Sequence, residues 1–176
     1  MKAIMIYRSG LPTRPSKELF ELEIDSCDLI LSQIELKAIG KNKVIQSYRI
    51  PLMNIVECGF VSEQEFIEKD KNVIGRGLAG GLLFGPAGMV LGGMSGIGNK
   101  KKKTTVGLFV ITYLSENSPD ELRSFVLETG WNSRDLTNIK FAKEAGKISA
   151  AATKSSMVNT YLNHYVATNQ DGSITL

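Results

Sequence analysis

The chain has 176 residues, of which 43% are hydrophobic and 22% charged, so it can bury a core without disulfides or metals. Its net charge is +3, but one run of four lysines alone supplies +4 and leaves −1 for the rest; it consists of Lys100, Lys101, Lys102 and Lys103. The positive charge is therefore local. This argues against a dedicated nucleic-acid-binding protein, in which basic residues cover a whole face.

The two cysteines and the N-terminus both favour a reducing compartment. Cys27 and Cys58 lie in apolar, strand-like sequence, which predicts buried free thiols. The apolar run Ala3–Tyr7 is shorter than the roughly 7–15 residues of a secretory signal. We therefore expect a cytoplasmic protein, or one that is peripheral to a membrane.

Alternating apolar residues predict a series of short strands before and after a glycine-rich segment. The predicted strands cover residues 3–7, 19–24, 29–39, 43–50, 52–61, 104–114 and 122–127. A turn at Gly40–Asn42 predicts that the third and fourth strands form a hairpin. Ser62 and Glu65 have the spacing of a capping box, which predicts the start of a helix. The short connections favour an antiparallel sheet.

The C-terminal part of the chain has helical periodicity. Residues 133–149 are predicted as a helix with Ser133 as its N-cap, and residues 150–166 as its extension. Its apolar stripe would comprise Leu136, Ile139, Ala142, Ala145 and either Ile148 or Ser149. The extension carries Val158, Tyr161, Leu162 and Tyr165 at helical spacing, and His164, the single histidine, is expected at the surface. The tail from Thr168 is polar.

The glycine-rich segment has the spacing of a glycine zipper. Glycines recur every fourth residue in two sets, Gly77, Gly81 and Gly85, then Gly88, Gly92 and Gly96. On a helix each set lies on one face and allows another helix to approach closely. Pro86 interrupts helical structure, which predicts two short helices, 73–84 and 87–97, folded as a hairpin. The apolar residues expected to point away from the glycine faces are Leu78, Leu82, Leu83, Phe84, Met89, Val90 and Leu91.

Three roles for this hairpin stay open: packing on its own domain, gripping a partner or a second copy, and inserting into a membrane. Each predicted helix is about 16 Å long, whereas a bilayer core is about 30 Å thick, so neither helix spans alone. Because the apolar side chains need cover, we expect a homo-oligomer whose interface includes residues 78–94.

The lysine run that follows the hairpin has two possible roles. It is either a solvated run that keeps the hairpin soluble or a contact with an anionic membrane. In the second case the contact residues would be Lys100, Lys101, Lys102 and Lys103.

Catalytic motifs are not found. Gly75, Gly77 and Gly80 match a dinucleotide-binding pattern by letter, but they follow a polar stretch where that site requires a strand. Two cysteines 31 residues apart and one histidine have no familiar zinc spacing. We predict no catalytic, cofactor-binding or metal-binding residues and no cofactor.

Two short stretches carry a resemblance to a known fold family. Residues 49–55, Arg-Ile-Pro-Leu-Met-Asn-Ile, resemble the strand exit of bacterial pleckstrin-homology (PH) and GRAM-type modules, and Phe109–Tyr113 with Phe125–Leu127 resembles their closing hairpin. The segment Ile74–Gly98 is similar to glycine-zipper inserts in small proteins of Firmicutes and their phages.

The resemblance implies an α+β fold: a bent antiparallel sheet of about seven strands, capped by a C-terminal helix and carrying an inserted glycine-rich helical hairpin. The PH-like domain would cover residues 1–149, interrupted by the hairpin and Lys-rich loop at 73–103, with an extension and frayed tail at 150–176. No basic cluster on the first hairpin matches phosphoinositide recognition.

The same resemblance implies a binding module, which in this family sometimes binds lipid and sometimes protein. We expect a non-enzymatic module that binds or scaffolds a protein partner, with a phage or host regulatory or inhibitor role. The alternative is a membrane-associated protein that docks through the zipper hairpin and Lys100–Lys103. No specific nucleic-acid partner is expected.

Overall fold

Seven strands and two helices make up the part of the chain that the computed structural model describes, residues 1–10, 18–62, 106–130 and 135–170. The strands are β1 (Lys2–Ser9), β2 (Leu19–Ile24), β3 (Asp28–Glu35), β4 (Lys43–Pro51), β5 (Ile55–Ser62), β6 (Gly107–Ser115) and β7 (Ser118–Glu128). The helices are α1 (Asp135–Ala151) and α2 (Ser156–Gln170), and a 3-10 turn, Leu52–Asn54, joins β4 to β5.

The strands form one open antiparallel sheet in the order β4-β3-β2-β1-β7-β6-β5. The predicted strands and their antiparallel pairing are therefore confirmed. The β3–β4 hairpin is also confirmed, although β3 ends at Glu35 and not at Ile39 as predicted. β7 begins at Ser118, within the predicted polar turn, because Ser118 pairs with Ser115 and the turn needs only Glu116 and Asn117.

The core lies on one face of the sheet, where alternate side chains from most strands meet. Phe20 and Phe125 pack edge to face with ring centroids 5.6 Å apart, and Tyr7 lies 5.5 Å from Phe125. Phe109 meets Phe141 of α1 at 6.1 Å, which joins the helix to the core. A second apolar cluster on β5, β6 and β7, here called the outer cluster, comprises Val61, Leu108, Val110 and Val126.

Helix α1 packs mainly against β5 and also contacts β1 and β6. The predicted apolar stripe is wrong at Leu136, which is 79% exposed. Of the two residues predicted for its last position, Ser149 is buried and Ile148 is 42% exposed. The face that is buried carries Asn138, Phe141, Ala142, Ala145 and Ser149. Small residues face the sheet because the helix lies very close to it. A Cβ added to Gly146 would lie 2.9 Å from the carbonyl oxygen of Cys58.

The predicted continuous extension of this helix is wrong, since α1 ends at Ala151 and α2 begins at Ser156. Ser155 explains the break. Its backbone N–H donates to the Met53 carbonyl at 3.0 Å, and its hydroxyl accepts from the Val158 N–H at 3.3 Å, as an N-cap does. Val158 is fully buried, so α2 begins where the chain is tied to the turn between β4 and β5.

Asn138 completes the hydrogen bonding of the central strand β1. β7 ends at Glu128, which pairs with Ile6. β7 is therefore too short to pair with the backbone of Ile4 on its side of β1. The Asn138 Nδ2 donates to the carbonyl oxygens of Ile4 and Thr129, both at 2.7 Å. Its Oδ1 accepts from the Ile4 N–H at 3.3 Å, so one buried side chain serves three backbone groups in place of a strand.

Replacing Asn138 with Leu should lower the free energy of unfolding by about 2–4 kcal/mol, because it leaves buried backbone groups without partners. Urea denaturation measures the change. Thr137→Ala, on the exposed neighbouring position, is the control and should stay within about 0.5 kcal/mol of the parent. Equal stability of Asn138→Leu and the parent would contradict this role.

Candidate interaction surfaces

The glycine-rich segment leaves and re-enters the sheet at a single point. Ser62, the last residue of β5, pairs with Gly107, the first residue of β6. Thr129 holds the point of return, since its backbone N–H and its hydroxyl both donate to the Gly107 carbonyl, at 2.8 and 3.1 Å. Ser62, which the sequence predicted as the N-cap of a helix, is thus the last residue of β5. The remainder of that predicted helix start lies outside the described residues.

All the predicted zipper positions and their apolar neighbours lie between residues 63 and 105, outside the described residues. The predicted membrane-contact lysines lie there as well: Lys100, Lys101, Lys102 and Lys103. The hairpin and both roles considered for the lysine run therefore stay predictions.

The structure instead defines the surface from which that segment departs. The outer cluster adjoins this point, because Val61 and Leu108 lie next to Ser62 and Gly107 and pair with each other. These side chains are buried, so a small apolar cluster, and not an exposed apolar surface, lies where the segment joins the sheet.

A polar contact fills the seam between α1 and β5, and it is made by Lys154, Ser149 and the backbone of Ile55. The Lys154 Nζ donates to the carbonyl oxygens of Ile55 and Ser149, both at 2.8 Å, and to the Ser149 hydroxyl at 3.3 Å. Burial lowers the pKa of the Lys154 ammonium. Burial also raises the pKa of the Cys58 thiol to about 11, although Ser149 and Lys154 oppose the shift. A reactive cysteine needs a lowered pKa, so Cys58 is built as an inert thiol.

Cys27 is exposed, which corrects the prediction that both cysteines are buried. It occupies the turn between β2 and β3, where its carbonyl oxygen accepts from the Leu52 N–H at 2.8 Å. The apolar residues around it belong to the strands on either side. The backbone of Cys27 holds the turn while its side chain faces solvent.

The hairpin formed by β3 and β4 exposes apolar side chains at its free end. Residues 36–45, here called the β3–β4 tip, include Leu36 (52% exposed), Ile39 (91%), Val44 (55%) and Ile45 (49%). A β-bulge contributes to this exposure, since Ile34 pairs with Val44 and Gln33 with Gln46, which leaves Ile45 as the extra residue. Three exposed lysines accompany them, Lys37, Lys41 and Lys43.

Sequence reasoning missed this surface because it placed residues 36–39 inside a strand. The available signal was the proximity of Ile39 to the turn Gly40–Asn42. Gly40 has a φ of +94°, so the chain reverses there and leaves Ile39 in the loop.

Two pockets lined by described residues have the volume of a small ligand. One, of about 350 Å³, lies beside β1 and α1 and is lined by Lys2, Ala3, Ile4, Glu21, Thr137 and Asn138. The other, of about 310 Å³, lies between the ends of β4 and β6, where Asn54 donates to Glu116 at 3.4 Å. The polar pairs that line them are the surface ion pair of Lys2 with Glu21 in the first and Asn54 with Glu116 in the second. Within the described residues, no group of three His, Cys, Asp or Glu could hold a metal ion.

Of the described helices, neither is long and apolar enough to cross a bilayer. His164 is exposed on α2, as predicted.

Comparison with known proteins gives one match. A family model described as a glycine zipper containing PH domain matches residues 17–124, more than half of the chain. No curated protein and no solved structure matches. The match begins just before β2 and ends within β7, whereas the sheet also contains β1 between β2 and β7.

Iodoacetamide at pH 8 should modify Cys27 in the folded protein far faster than Cys58. With a pKa of about 11, only about one Cys58 thiol in a thousand is the reactive thiolate at this pH. Mass spectrometry of tryptic peptides measures both rates. Cys27→Ser should make labelling slow until urea is added, and Cys58→Ala should leave the fast phase intact. Comparable rates for the two cysteines in the native protein would disprove this assignment.

Proposed function

Because the chain belongs to the family of glycine zipper containing PH domains, we propose that it is a non-enzymatic protein-binding and scaffolding module. PH-like domains are generally non-catalytic, and the family suggests a module for protein interaction or lipid binding. In this proposal the sheet and α1 form a rigid support, and residues 63–105 contact the partner. A regulatory or inhibitory role by protein contact belongs to the same proposal.

The pairing of Ser62 with Gly107 is the observation that supports this separation of a rigid sheet from a binding segment. The two residues close a β5–β6 hairpin across the 44 residues between them, so the sheet is complete without that segment. Strands joined in this way normally need a connection of two to five residues. A long insertion at such a point adds little to the stability of the sheet, which favours a role in binding.

The chemistry of the segment suggests how it would bind. Small residues at every fourth position allow close packing of helices, which applies equally to a second copy and to a different protein. We propose that the segment mediates self-association, in a homo-oligomer whose interface includes residues 78–94, since a two-fold dimer is the commonest closed assembly.

Replacing residues 63–105 with a short Asn-Gly-containing turn should leave the sheet folded and abolish self-association. Circular dichroism and urea denaturation report folding, and light scattering reports the assembly state. In the full chain, Gly81→Leu and Gly92→Leu should each weaken assembly at least tenfold. Ala150→Leu, which adds the same side chain on the exposed face of α1, should not.

Changing the four lysines of the run together to Gln should raise aggregation and leave assembly largely intact, if the run serves solubility; the four are Lys100, Lys101, Lys102 and Lys103. A parent chain that stays monomeric at high concentration and binds no protein would refute the scaffold proposal. Binding to anionic vesicles that the four Gln substitutions abolish would favour the membrane alternative through this segment.

A further inference from the structure

The side of β6 and β7 that points away from the core is buried. Side chains alternate along a strand, and Phe109 and Ile111 of β6 lie in the core. Val110 and Thr112 therefore point the other way, yet Val110 is 3% exposed and Thr112 is fully buried. Antiparallel sheets commonly leave this second side in water, so its burial here indicates another packed layer.

This second side is apolar apart from one satisfied polar pair. We call it the outer face of β5, β6 and β7, and its buried side chains are those of the outer cluster together with Thr112 and Ser124. Thr112 and Ser124 lie opposite each other in the register of β6 and β7, and their hydroxyl oxygens are 3.2 Å apart in a buried hydrogen bond. Because the hydroxyls satisfy each other, the outer face suits an uncharged, apolar element.

The described helices do not account for the burial of the outer face. Among the described residues, α1 packs against the core side of β6, where Phe141 contacts Phe109. The 3-10 turn also contacts β6, and its Leu52 belongs to the core. Helix α2 contacts β5 and that turn, and β7 packs between β1 and β6. The burial of the outer face therefore comes from residues outside the described ranges.

We propose that residues 63–105 pack against the outer face of their own chain through the apolar side of a predicted zipper helix. The ends of the segment support this choice, since Val61 belongs to the outer cluster and Val106 packs against it. Residues 77–99 contain no charged side chain, as contact with an apolar face requires. The burial is present in a single copy of the chain, so it does not depend on a second copy.

The dimensions of the outer face suit one helix of the predicted hairpin. From Leu108 to Thr112, β6 is about 13 Å long at about 3.3 Å per residue. Each predicted helix is about 16 Å long. A helix about 10 Å across can lie over two strands that are about 4.8 Å apart. One helix would thus fit along β6 and β7, with the apolar residues that point away from its glycines against the sheet.

This arrangement adds to the proposed function without depending on it. In a hairpin whose glycine sides meet, the two apolar sides point in opposite directions. The outer face would take one apolar side, and the other would stay available to a second copy or another protein. Since an antiparallel sheet can fold with one side in water, loss of this contact would free the segment without unfolding the sheet.

Photochemical cross-linking tests which residues lie on the outer face. The full chain is made with photo-leucine, whose diazirine links to neighbouring groups on irradiation, and ¹⁴N and ¹⁵N chains are mixed before irradiation. The tryptic peptide 104–123 contains Leu108, Leu114 and Leu122, which the register of β6 and β7 places on the outer side of the sheet. This peptide should be linked to peptide 77–100, and both peptides of each linked pair should carry the same isotope.

A charge on the outer face should release the segment. Val110→Lys should still unfold cooperatively in urea, and thermolysin should cleave residues 77–100 at least tenfold faster than in the parent. Val44→Lys is the matched control, because that valine is already 55% exposed on β4, and it should leave the cleavage rate unchanged. If Val110→Lys does not fold, Val110→Thr keeps the shape of the side chain and should give a smaller increase in the same direction.

Three results would overturn the proposal. Links from peptide 104–123 to peptide 9–17 in place of 77–100 would make the loop between β1 and β2 the element on the outer face. Links between chains of different isotope would place a second copy there. Equal cleavage rates for the Val110 variants and the parent would show that the segment does not use this face. Intrachain links in a chain that stays monomeric by light scattering would support this inference and refute the homo-oligomer.

Discussion

The close approach of α1 to β5 is the constraint on which much of this fold depends. At Gly146 the helix has no room for a Cβ above the carbonyl oxygen of Cys58, so the facing residues must be small. The same approach buries Cys58 and raises its pKa, and it brings the Ile55 carbonyl within reach of Lys154. An isolated ammonium in this seam would be costly, but three oxygens surround it. The helix end, the turn after β4 and the start of β5 are thereby fixed together.

Much of the sheet could be predicted because each strand carries a local sequence signal. Alternation in Leu19–Ile24 and the β-branched run in β6 depend only on neighbouring residues, and those strands were predicted nearly to the residue. The face of α1 could not be predicted in the same way. Counting apolar residues favours Leu136 and Ile148, but the distance to the sheet decides which residues fit beneath the helix, and that distance is a tertiary property.

The two candidate surfaces differ in the same way, because one is visible in the sequence and the other depends on tertiary structure. The glycine zipper is a spacing of residues and can be seen in the sequence, whereas the β3–β4 tip depends on where β3 ends. Leu36 to Ile39 resemble a continuation of the strand, and only the register with β4 shows that pairing stops at Glu35. Cys27 was misplaced for a similar reason, since its apolar neighbours lie in β2 and β3 and its own position is a turn. Asn138 could not be found from sequence at all, because its three partners are backbone groups on β1 and after β7.

The antiparallel order of the sheet has a consequence for a protein with two interaction surfaces. β4 and β5 are the two edges of the sheet, but the β3–β4 tip and the residues that flank the glycine-rich segment lie at the same end of the strands. One row of paired residues joins them across the sheet: Val44, Ile34, Leu19, Ile6, Glu128, Leu108 and Val61. The tip and the two points where the segment joins the sheet, Ser62 and Gly107, therefore lie along one end of the sheet, towards its two opposite edges. The seam between α1 and β5 holds these attachment points in place, because α1 contacts β1 as well as β5 and so fixes the β5–β6 hairpin relative to the rest of the sheet.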